Sequence, residues 1–452
     1  CDAPLNSVHT LSAQHLVTYN FRINFFLIRT MNSAEIFEIV FLLFLFGNFV
    51  LKYYLDRRQV RSIQINRGAV PAAFAGKITL EAHQKAADYS VERIKFGQLA
   101  RITDLGFVLI ATIGGLIQWI YGEVSGGLGG DTWAQIVIIM CYGFLSSLID
   151  LPFSWYSTFK IEAKYGFNTT TLARFIKDLL LSAVLSLVLG IPILAAVLWI
   201  WNAAGEFWWF WAWLAYILFI LAVQWIYPTF IAPLFNKFTP LPDGELKTRL
   251  EGLLSRIGFA SKGLYVMDAS KRSAKGNAYM TGFGRNKRIV LFDTLLNKMT
   301  PEETEAVLAH ELGHYKLHHI YKMMAFSFAF SLLFFWILSV LADCSWFYEG
   351  LGVTLSHGAS HGVALILFSI AVPVFLFPLA PLTSLFSRKH EFEADAFAVR
   401  YSNGGALISA LVKLFSDNAA TLTPDPLYSA FYSSHPDAAI RIATIQKEMS
   451  KA

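Results

Sequence analysis

The stretch AVLAHELGHYKLHH, residues Ala306 to His319, contains the pattern His-Glu-x-x-His. Residues four apart share one face of a helix, so His310 and His314 could bind one Zn²⁺ ion together. Glu311, the next residue, could then accept a proton from a water molecule at the metal. Such a site also needs a third protein ligand and a suitable structural setting.

Composition and hydropathy place this motif in a membrane protein. Of the 452 residues, 55% are hydrophobic and only 15% are charged, which is too apolar for an ordinary soluble domain. Crossing a bilayer takes about 20 helical residues. Seven stretches are long enough: Ile36–Leu55, Leu105–Tyr121, Trp133–Trp155, Leu179–Trp201, Phe207–Pro228, Met323–Leu341 and Val363–Leu385.

Basic residues mark one side of the membrane. Lys and Arg are frequent after the first, third, fifth and seventh stretches, and they are absent from the alternate loops Gly122–Thr132, Asn202–Glu206 and Ala342–His361. Because positively charged loops stay in the cytoplasm, we expect the N-terminus outside and the His-Glu-x-x-His segment inside. The net charge of +5 is accounted for by these basic segments beside the spans. The charge therefore points to the lipid bilayer as the partner and gives no reason to expect a nucleic acid.

This topology divides the chain into five segments. Residues 1–30 begin without Met and place two arginines on the expected outer side, so we interpret them as a non-native or disordered extension. Residues 31–229 would hold spans one to five with a cytoplasmic loop at 52–104, and residues 230–322 the candidate catalytic domain. Residues 323–386 would hold spans six and seven, and residues 387–452 a cytoplasmic helical segment.

Local signals predict a hairpin and a helix in the candidate catalytic domain. The run RNKRIVLFDTLL predicts a strand at Arg288–Phe292, and GNAYMTGFGRN before it predicts a second strand and a glycine-containing turn. Thr300 as N-cap, Pro301 at the first helical position and the glutamates that follow predict the start of the motif helix. We expect this helix to continue into the sixth span.

A third ligand is expected from SRKHEFEADAFAVR, Ser387–Arg400, just after the seventh span. Glu391 and Asp395 share one face of the predicted helix, whereas Glu393 points to the opposite side, where it would be solvated. Glu391 would complete a His₂Glu zinc site with an open fourth position. Asp395 would hydrogen-bond the far nitrogen of a ligand histidine and fix its orientation.

The other histidines near the motif and in the outer loop are expected to be peripheral. His318 and His319 should face water or lipid head groups, because three protein ligands already suffice for a catalytic zinc. His357 and His361 lie in the loop on the opposite side of the membrane and should be surface residues.

From about Met31 to the end, the chain resembles the type I CAAX prenyl protease family of gluzincin-type zinc endopeptidases. The resemblance is carried, in order, by LPFSWYSTFKIEAKYGFNTTT, PLFNKFTPLPDGEL, KGNAYMTGFGRNKRIVLFDTLL, HELGHYKLHH, SRKHEFEADAFA and SHPDAAIRI. It implies an all-α polytopic membrane protein whose seven helices form a barrel around a large chamber. A cytoplasmic-side metallopeptidase domain with a small β-hairpin or sheet would hold one zinc ion per chain.

The resemblance also assigns residues to the site. His310, His314 and Glu391 would be the zinc ligands and Glu311 the base. Asn277 and Ala278 would belong to an edge strand that binds the substrate backbone, and adding a peptide strand to a sheet edge is a general way to present a scissile bond. By the same resemblance, His435 would stabilise the oxyanion, and Arg441 would contact a substrate carbonyl or an acidic ligand.

The substrate would be a peptide or protein, either prenylated and cleaved at a C-terminal CAAX sequence or inserted in the membrane, and the enzyme would act as a monomer. Short loops and a C-terminus without a dilysine signal suggest a bacterial member in the inner membrane, with the endoplasmic reticulum as the alternative. A bacterial member could instead degrade damaged membrane proteins without a prenyl requirement.

Two other protein classes share some of these sequence features. A site-2-type intramembrane protease would place its Leu-Asp-Gly segment after the motif, whereas the similar LPDG at Leu241–Gly244 precedes it. A transporter or channel with a structural zinc domain would carry acidic residues within its spans, where only Asp150 stands out, at a helix end.

Overall fold

A computed structural model of the chain describes residues 31–282, 287–356 and 360–451. Within these ranges the protein is mostly helical, and six helices are long and apolar enough to cross a membrane. A bent pair of helices makes a seventh candidate span. The seven predicted stretches therefore coincide with the observed candidates, while the predicted extension Cys1–Thr30 lies outside the described residues.

Among the described residues, the α-helices of seven residues or more are, in chain order, α1 (Ser33–Asn66), α2 (Leu80–Ala111), α3 (Leu116–Leu128), α4 (Thr132–Tyr156), α5 (Leu172–Ala203), α6 (Trp208–Ile226), α7 (Glu245–Ile257), α8 (Pro301–Lys316), α9 (His319–Ala342), α10 (His361–Leu376), α11 (Ala380–Tyr401), α12 (Gly404–Asp417), α13 (Pro426–Tyr432) and α14 (Ala438–Met449). Several extend well beyond the bilayer-crossing length. In particular, α1 and α2 project into the segment that the sequence assigned to a loop at 52–104.

The predicted second span is a broken helix. Helices α2 and α3 are bent by 47° at a short break, and Gly115 adopts the left-handed conformation with φ 79°. The backbone of Gly352 packs against this break so closely that a Cβ atom there would collide with the Thr112 carbonyl oxygen. Consequently Gly122–Thr132, predicted as a loop, is mostly the end of α3.

The sheet has four strands: β1 (Phe238–Pro240), β2 (Gly263–Met267), β3 (Ala278–Thr281) and β4 (Arg288–Phe292), in the order β1-β2-β4-β3. The predicted hairpin is confirmed, because β3 and β4 pair antiparallel with Ala278 opposite Leu291. Strands β2 and β4 run parallel, and β1 is antiparallel to β2. The sheet is therefore mixed, with β3 at one edge.

The motif helix starts as predicted but ends earlier. The Thr300 hydroxyl accepts a hydrogen bond from Glu303 N at 3.2 Å, and the Glu303 carboxylate accepts one from Thr300 N at 2.8 Å, which together form a capping box. Helix α8 ends at Lys316, and α9 begins only after His318, whose φ is 60°. The expected continuous helix is thus wrong, because this left-handed residue reorients the chain before the sixth span.

The outer histidines can be assessed only in part. His357 lies outside the described residues. His361 is the first residue of α10, and its ring stacks on Trp201 at 4.2 Å between centroids. His361 is half-buried, so the expected surface position holds only in part, because Trp201 covers one face of its ring.

Candidate metal centre and active site

Two helices bring three potential metal ligands together. His310 and His314 project from α8, and their Nε2 atoms lie 3.2 Å apart. Glu391 projects from α11, with Oε2 at 3.6 Å from His310 Nε2 and Oε1 at 3.3 Å from His314 Nε2. One donor atom from each residue lies within 4.8 Å of the others, so the three could hold one metal ion.

Close packing between the two helices sets this geometry. A Cβ atom on Gly313 would lie 3.0 Å from Ala394 Cα and 3.2 Å from Phe397 Cβ. That separation is tighter than ordinary van der Waals contact, so glycine lets α8 and α11 approach each other. Because Gly313 lies between His310 and His314, the close approach occurs where the ligands of the two helices meet.

The donor set fits zinc. Two imidazoles and one carboxylate are a known ligand combination for catalytic zinc, which keeps a fourth position open. The Glu391 Oε2 atom is buried and has no hydrogen-bond partner among the described residues, although it points toward the His310 ring. A cation bound between the three side chains would satisfy this oxygen.

A buried ion pair between Asp395 and Arg441 contacts the His310 ring. Asp395 Oδ1 lies 2.8 Å from His310 Nδ1, and the Arg441 Nε and Nη2 groups donate to the same carboxylate at 2.9 and 2.6 Å. Burial disfavours protonation of the imidazole, but the adjacent carboxylates of Asp395 and Glu391 raise the pKa of His310 to about 9. The carboxylates therefore create a negative potential suited to a cation.

A second histidine supports His314, and sequence reasoning missed it. The His319 Nδ1 atom lies 3.1 Å from His314 Nδ1, and its Nε2 lies 2.9 Å from Glu393 Oε2. The His319 ring is buried and stacks on His390, with 4.1 Å between centroids. The expectation that His319 faces water is thus wrong, whereas His318 is exposed as expected.

The same contacts correct the expectation for Glu393. This residue does point away from the face that carries Glu391, but it meets His319 instead of remaining only solvated. The left-handed turn at His318 folds His319 back onto His314. Spacing along a continuous helix could not have predicted this contact.

Glu311 lies beside the ligands in α8. Burial raises the pKa of its carboxyl group, and the nearby His310 and His314 partly oppose that rise. A carboxyl group with a raised pKa can accept a proton and return it within one reaction cycle.

His435 and Arg441 approach Glu391 from the C-terminal segment. His435 Nε2 lies 3.4 Å from Glu391 Oε1, and its side chain is 60% exposed, so it can also face a bound molecule. Arg441 Nη1 lies 3.4 Å from Glu391 Oε2, but its side chain is only 6% exposed. The structure therefore places Arg441 against both Glu391 and Asp395, and its contact with a substrate carbonyl or an acidic ligand stays a prediction.

Ala278 is the first residue of edge strand β3, and Asn277 directly precedes it. The Asn277 carbonyl oxygen accepts a hydrogen bond from Phe292 N at 3.1 Å, and its side-chain oxygen accepts one from Ala278 N at 2.9 Å. Ala278 is buried in the same hydrophobic cluster as Leu308 and Leu312 of α8. The edge strand is thus packed against the helix that carries the histidines.

The apolar helices and this three-ligand site define a membrane-embedded metallopeptidase. Family models agree: residues 59–237 match "CAAX prenyl protease N-terminal, five membrane helices", and residues 240–449 match "Peptidase family M48". The chain belongs to peptidase family M48, together with the CAAX prenyl proteases.

Individual relatives match over nearly the whole chain. A CAAX prenyl protease 1 homolog of Arabidopsis thaliana is 37% identical over 421 residues, covering 90% of this chain and 97% of the relative. CAAX prenyl protease 1 of Saccharomyces cerevisiae is 35% identical over 426 residues, covering 89% and 93%. The crystal structure of S. mikatae Ste24p superposes with a TM-score of 0.83 at 33% identity, covering 90% of this chain and 98% of that one.

These matches bear on two earlier expectations. The named relatives are eukaryotic, so the expectation of a bacterial member is not supported. Loop length was a poor guide because surface loops tolerate insertions and deletions. The transporter alternative is also not supported, because a peptidase model matches the entire second half of the chain.

Proposed function

We propose that this protein is a zinc endopeptidase that cleaves membrane-associated peptides, including prenylated substrates at a C-terminal CAAX sequence. The observation that carries the proposal is the convergence of His310, His314 and Glu391 beside Glu311 in a chain with apolar membrane-crossing helices. Relatives that match nearly the full chain are named CAAX prenyl protease 1, which supports the substrate class.

In this proposal each residue near the metal has a defined task. A zinc ion held by His310, His314 and Glu391 would supply Lewis-acid polarisation of water and of the scissile carbonyl. Glu311 accepts the proton of the attacking water and then delivers it to the leaving amine, for which its raised pKa is suitable. His435, exposed on the open side of Glu391, donates a hydrogen bond to the developing oxyanion.

Two further residues position the ligands. Asp395 accepts the Nδ1–H of His310, which leaves the Nε2 lone pair of that ring for the metal. Arg441 bridges Asp395 and Glu391 and holds the two carboxylates in place. Arg441 is therefore a positioning residue in this proposal.

The substrate would bind as an added strand on β3. Ala278 begins this edge strand directly after Asn277, and the strand pairs with β4 on one side. Main-chain hydrogen bonds to an edge give affinity without reading much of the sequence. A protease built this way can accept varied peptides and obtain its selectivity from membrane attachment.

The substrate proposal is tested by mass spectrometry of products. Purified protein is incubated with a farnesylated CAAX peptide and with the same peptide lacking the lipid. We expect release of the three C-terminal residues from the farnesylated peptide and much slower cleavage of the other. If both peptides are cleaved at the same rate, the proposal of prenyl-dependent CAAX processing is replaced by lipid-independent cleavage, as in membrane-protein quality control. If neither peptide is cleaved, the endopeptidase proposal is contradicted.

We propose that the protein lies in the endoplasmic reticulum membrane of a eukaryotic cell. Its N-terminus would be on the lumenal side, and its metal site would be on the cytoplasmic side. The basic residues that flank alternate spans support this arrangement. Cysteine labelling in sealed vesicles should place positions 123 and 349 on one side and positions 262 and 389 on the other. Labelling of all four from one side would contradict the topology.

A further inference from the structure

A basic cavity lies away from the metal ligands, at one end of the membrane helices. Its volume is about 900 Å³, and it opens where α5 begins and where the chain leaves the fifth candidate span. Two acidic side chains line it, Asp178 and Asp268. The basic side chains outnumber them, with six in total: Arg174, Lys177, Lys237, Lys271, Arg272 and Arg288.

Only two of these cations are neutralised. Arg272 donates to the Asp178 carboxylate from Nε at 2.8 Å and from Nη2 at 2.9 Å. Lys271 Nζ lies 2.6 Å from Asp268 Oδ2. The other four form no ion pair with a carboxylate among the described residues: Arg174, Lys177, Lys237 and Arg288. The cavity therefore concentrates four uncompensated positive charges.

Both free guanidinium groups are held in place by carbonyl oxygens. Arg174 Nη1 donates to the Lys271 carbonyl at 2.6 Å, and Arg288 Nη1 donates to the Pro228 carbonyl at 2.9 Å. These bonds use only part of the five donors of each guanidinium group. The remaining donors, fixed in direction, suit the oxygens of a phosphate group.

Exposed apolar side chains lie close in sequence to residues that line the cavity. Leu172 and Ile176 at the start of α5 are exposed, as are Leu234 and Phe230 beyond α6, the last at 62%. In a chain with seven candidate spans, such exposed apolar residues at helix ends face acyl chains. The basic cavity is thus lined by chain segments that also carry exposed apolar residues suited to lipid.

We propose that this cavity binds the head group of an anionic phospholipid, with its phosphate groups held by Arg174, Arg288, Lys177 and Lys237. Basic pockets at the ends of membrane helices recognise such head groups. The exposed apolar residues in the same chain segments favour a lipid over an acidic peptide. Because Lys237 directly precedes β1, the bound lipid would tie the sheet of the metallopeptidase part to the membrane surface. The inference does not depend on the proposed peptidase reaction.

Binding can be measured on the full-length protein, delipidated in neutral detergent and titrated with dioctanoyl phosphatidylinositol 4-phosphate. The probes for comparison are dioctanoyl phosphatidylcholine, inositol 1,4-bisphosphate and inorganic phosphate. We expect the anionic lipid to bind most tightly, inositol bisphosphate to bind at least tenfold more weakly, and phosphatidylcholine not to compete. Equal affinity for the lipid and its soluble head group would overturn the assignment to a lipid.

The variant K177Q/K237Q tests the residues. Each basic residue at a membrane surface contributes a factor of about five in affinity, so the double variant should bind the lipid about 30-fold more weakly. K177R/K237R should restore binding, and K77Q/K447Q is the matched control, because Lys77 and Lys447 are exposed lysines outside the cavity. The site is overturned if K177Q/K237Q, shown folded by its unfolding temperature, binds like the control. If K177Q/K237Q does not fold, R174Q is tested instead, and it should bind the lipid about fivefold more weakly. An unchanged affinity of R174Q for the lipid would overturn the site.

Discussion

The contact between Glu393 and His319 predicts that a carboxylate outside the ligand set controls metal affinity. Glu393 Oε2 accepts the Nε2–H of His319, at 2.9 Å, so His319 Nδ1 is left as an acceptor. His314 must then donate from its own Nδ1 across the 3.1 Å separation. This arrangement leaves the lone pair of His314 Nε2 for the metal.

The substitution Glu393→Ala removes the first acceptor of this chain of hydrogen bonds. Loss of such an outer partner typically lowers metal affinity about 10- to 100-fold. We expect the lower end, about tenfold or about 1.4 kcal/mol, because the Glu393 side chain is 37% exposed and acts only through His319. Competition for zinc with a chelator of known affinity measures the dissociation constant directly.

Two variants frame this measurement. Lys389→Ala is the matched control, because Lys389 Nζ lies 3.8 Å from Glu393 Oε1 on the exposed side and is itself 73% exposed. Glu391→Ala, which removes a ligand, should lose zinc during purification. If Glu393→Ala binds zinc as tightly as Lys389→Ala, the Glu393–His319–His314 chain does not orient the ligand and the reasoning is refuted.

Two other perturbations test the packing and the electrostatics around the motif helix. Gly313→Ala should destabilise the protein by about 1–3 kcal/mol and weaken zinc binding, because its methyl group would force α8 away from Ala394. Thermal unfolding and zinc titration measure the two effects. Gly47→Ala is the control and should change neither quantity, because the space around Gly47 is open. Burial tends to raise the pKa of Glu303, but hydrogen bonds from Lys413, Ser409 and Thr300 hold it below its usual value. The stability that this carboxylate contributes is thus complete above the unfolded pKa of about 4.5 and is lost as the pH falls through the lower folded value. Unfolding temperatures measured between pH 7 and pH 3 should therefore converge for wild type and Glu303→Gln at the acidic end, and a constant difference would contradict this assignment.

Features set by local sequence were predictable. The strand Arg288–Phe292, the capping box at Thr300 and the shared face of Glu391 and Asp395 each depend on residues within a few positions of one another. Propensity, capping chemistry and helical periodicity act over that range. The seven apolar stretches were predictable for the same reason, because hydropathy is a local property.

Features set by distant contacts were not predictable. The break between α2 and α3 depends on the approach of Gly352, more than 200 residues away in sequence. The ring stacking of His361 depends on Trp201 of another helix. The position of His319 depends on the left-handed conformation of His318, which non-glycine residues adopt only uncommonly.

The central claim is that Glu311 is the base of a zinc endopeptidase whose ligands are His310, His314 and Glu391. The most direct test is the cleavage rate of Glu311→Gln protein that has first been shown to contain one zinc per chain. We predict full zinc content with cleavage of the CAAX peptide reduced at least about 100-fold, because the ligands remain while the proton acceptor is lost. Wild-type cleavage by the zinc-loaded variant would contradict the account.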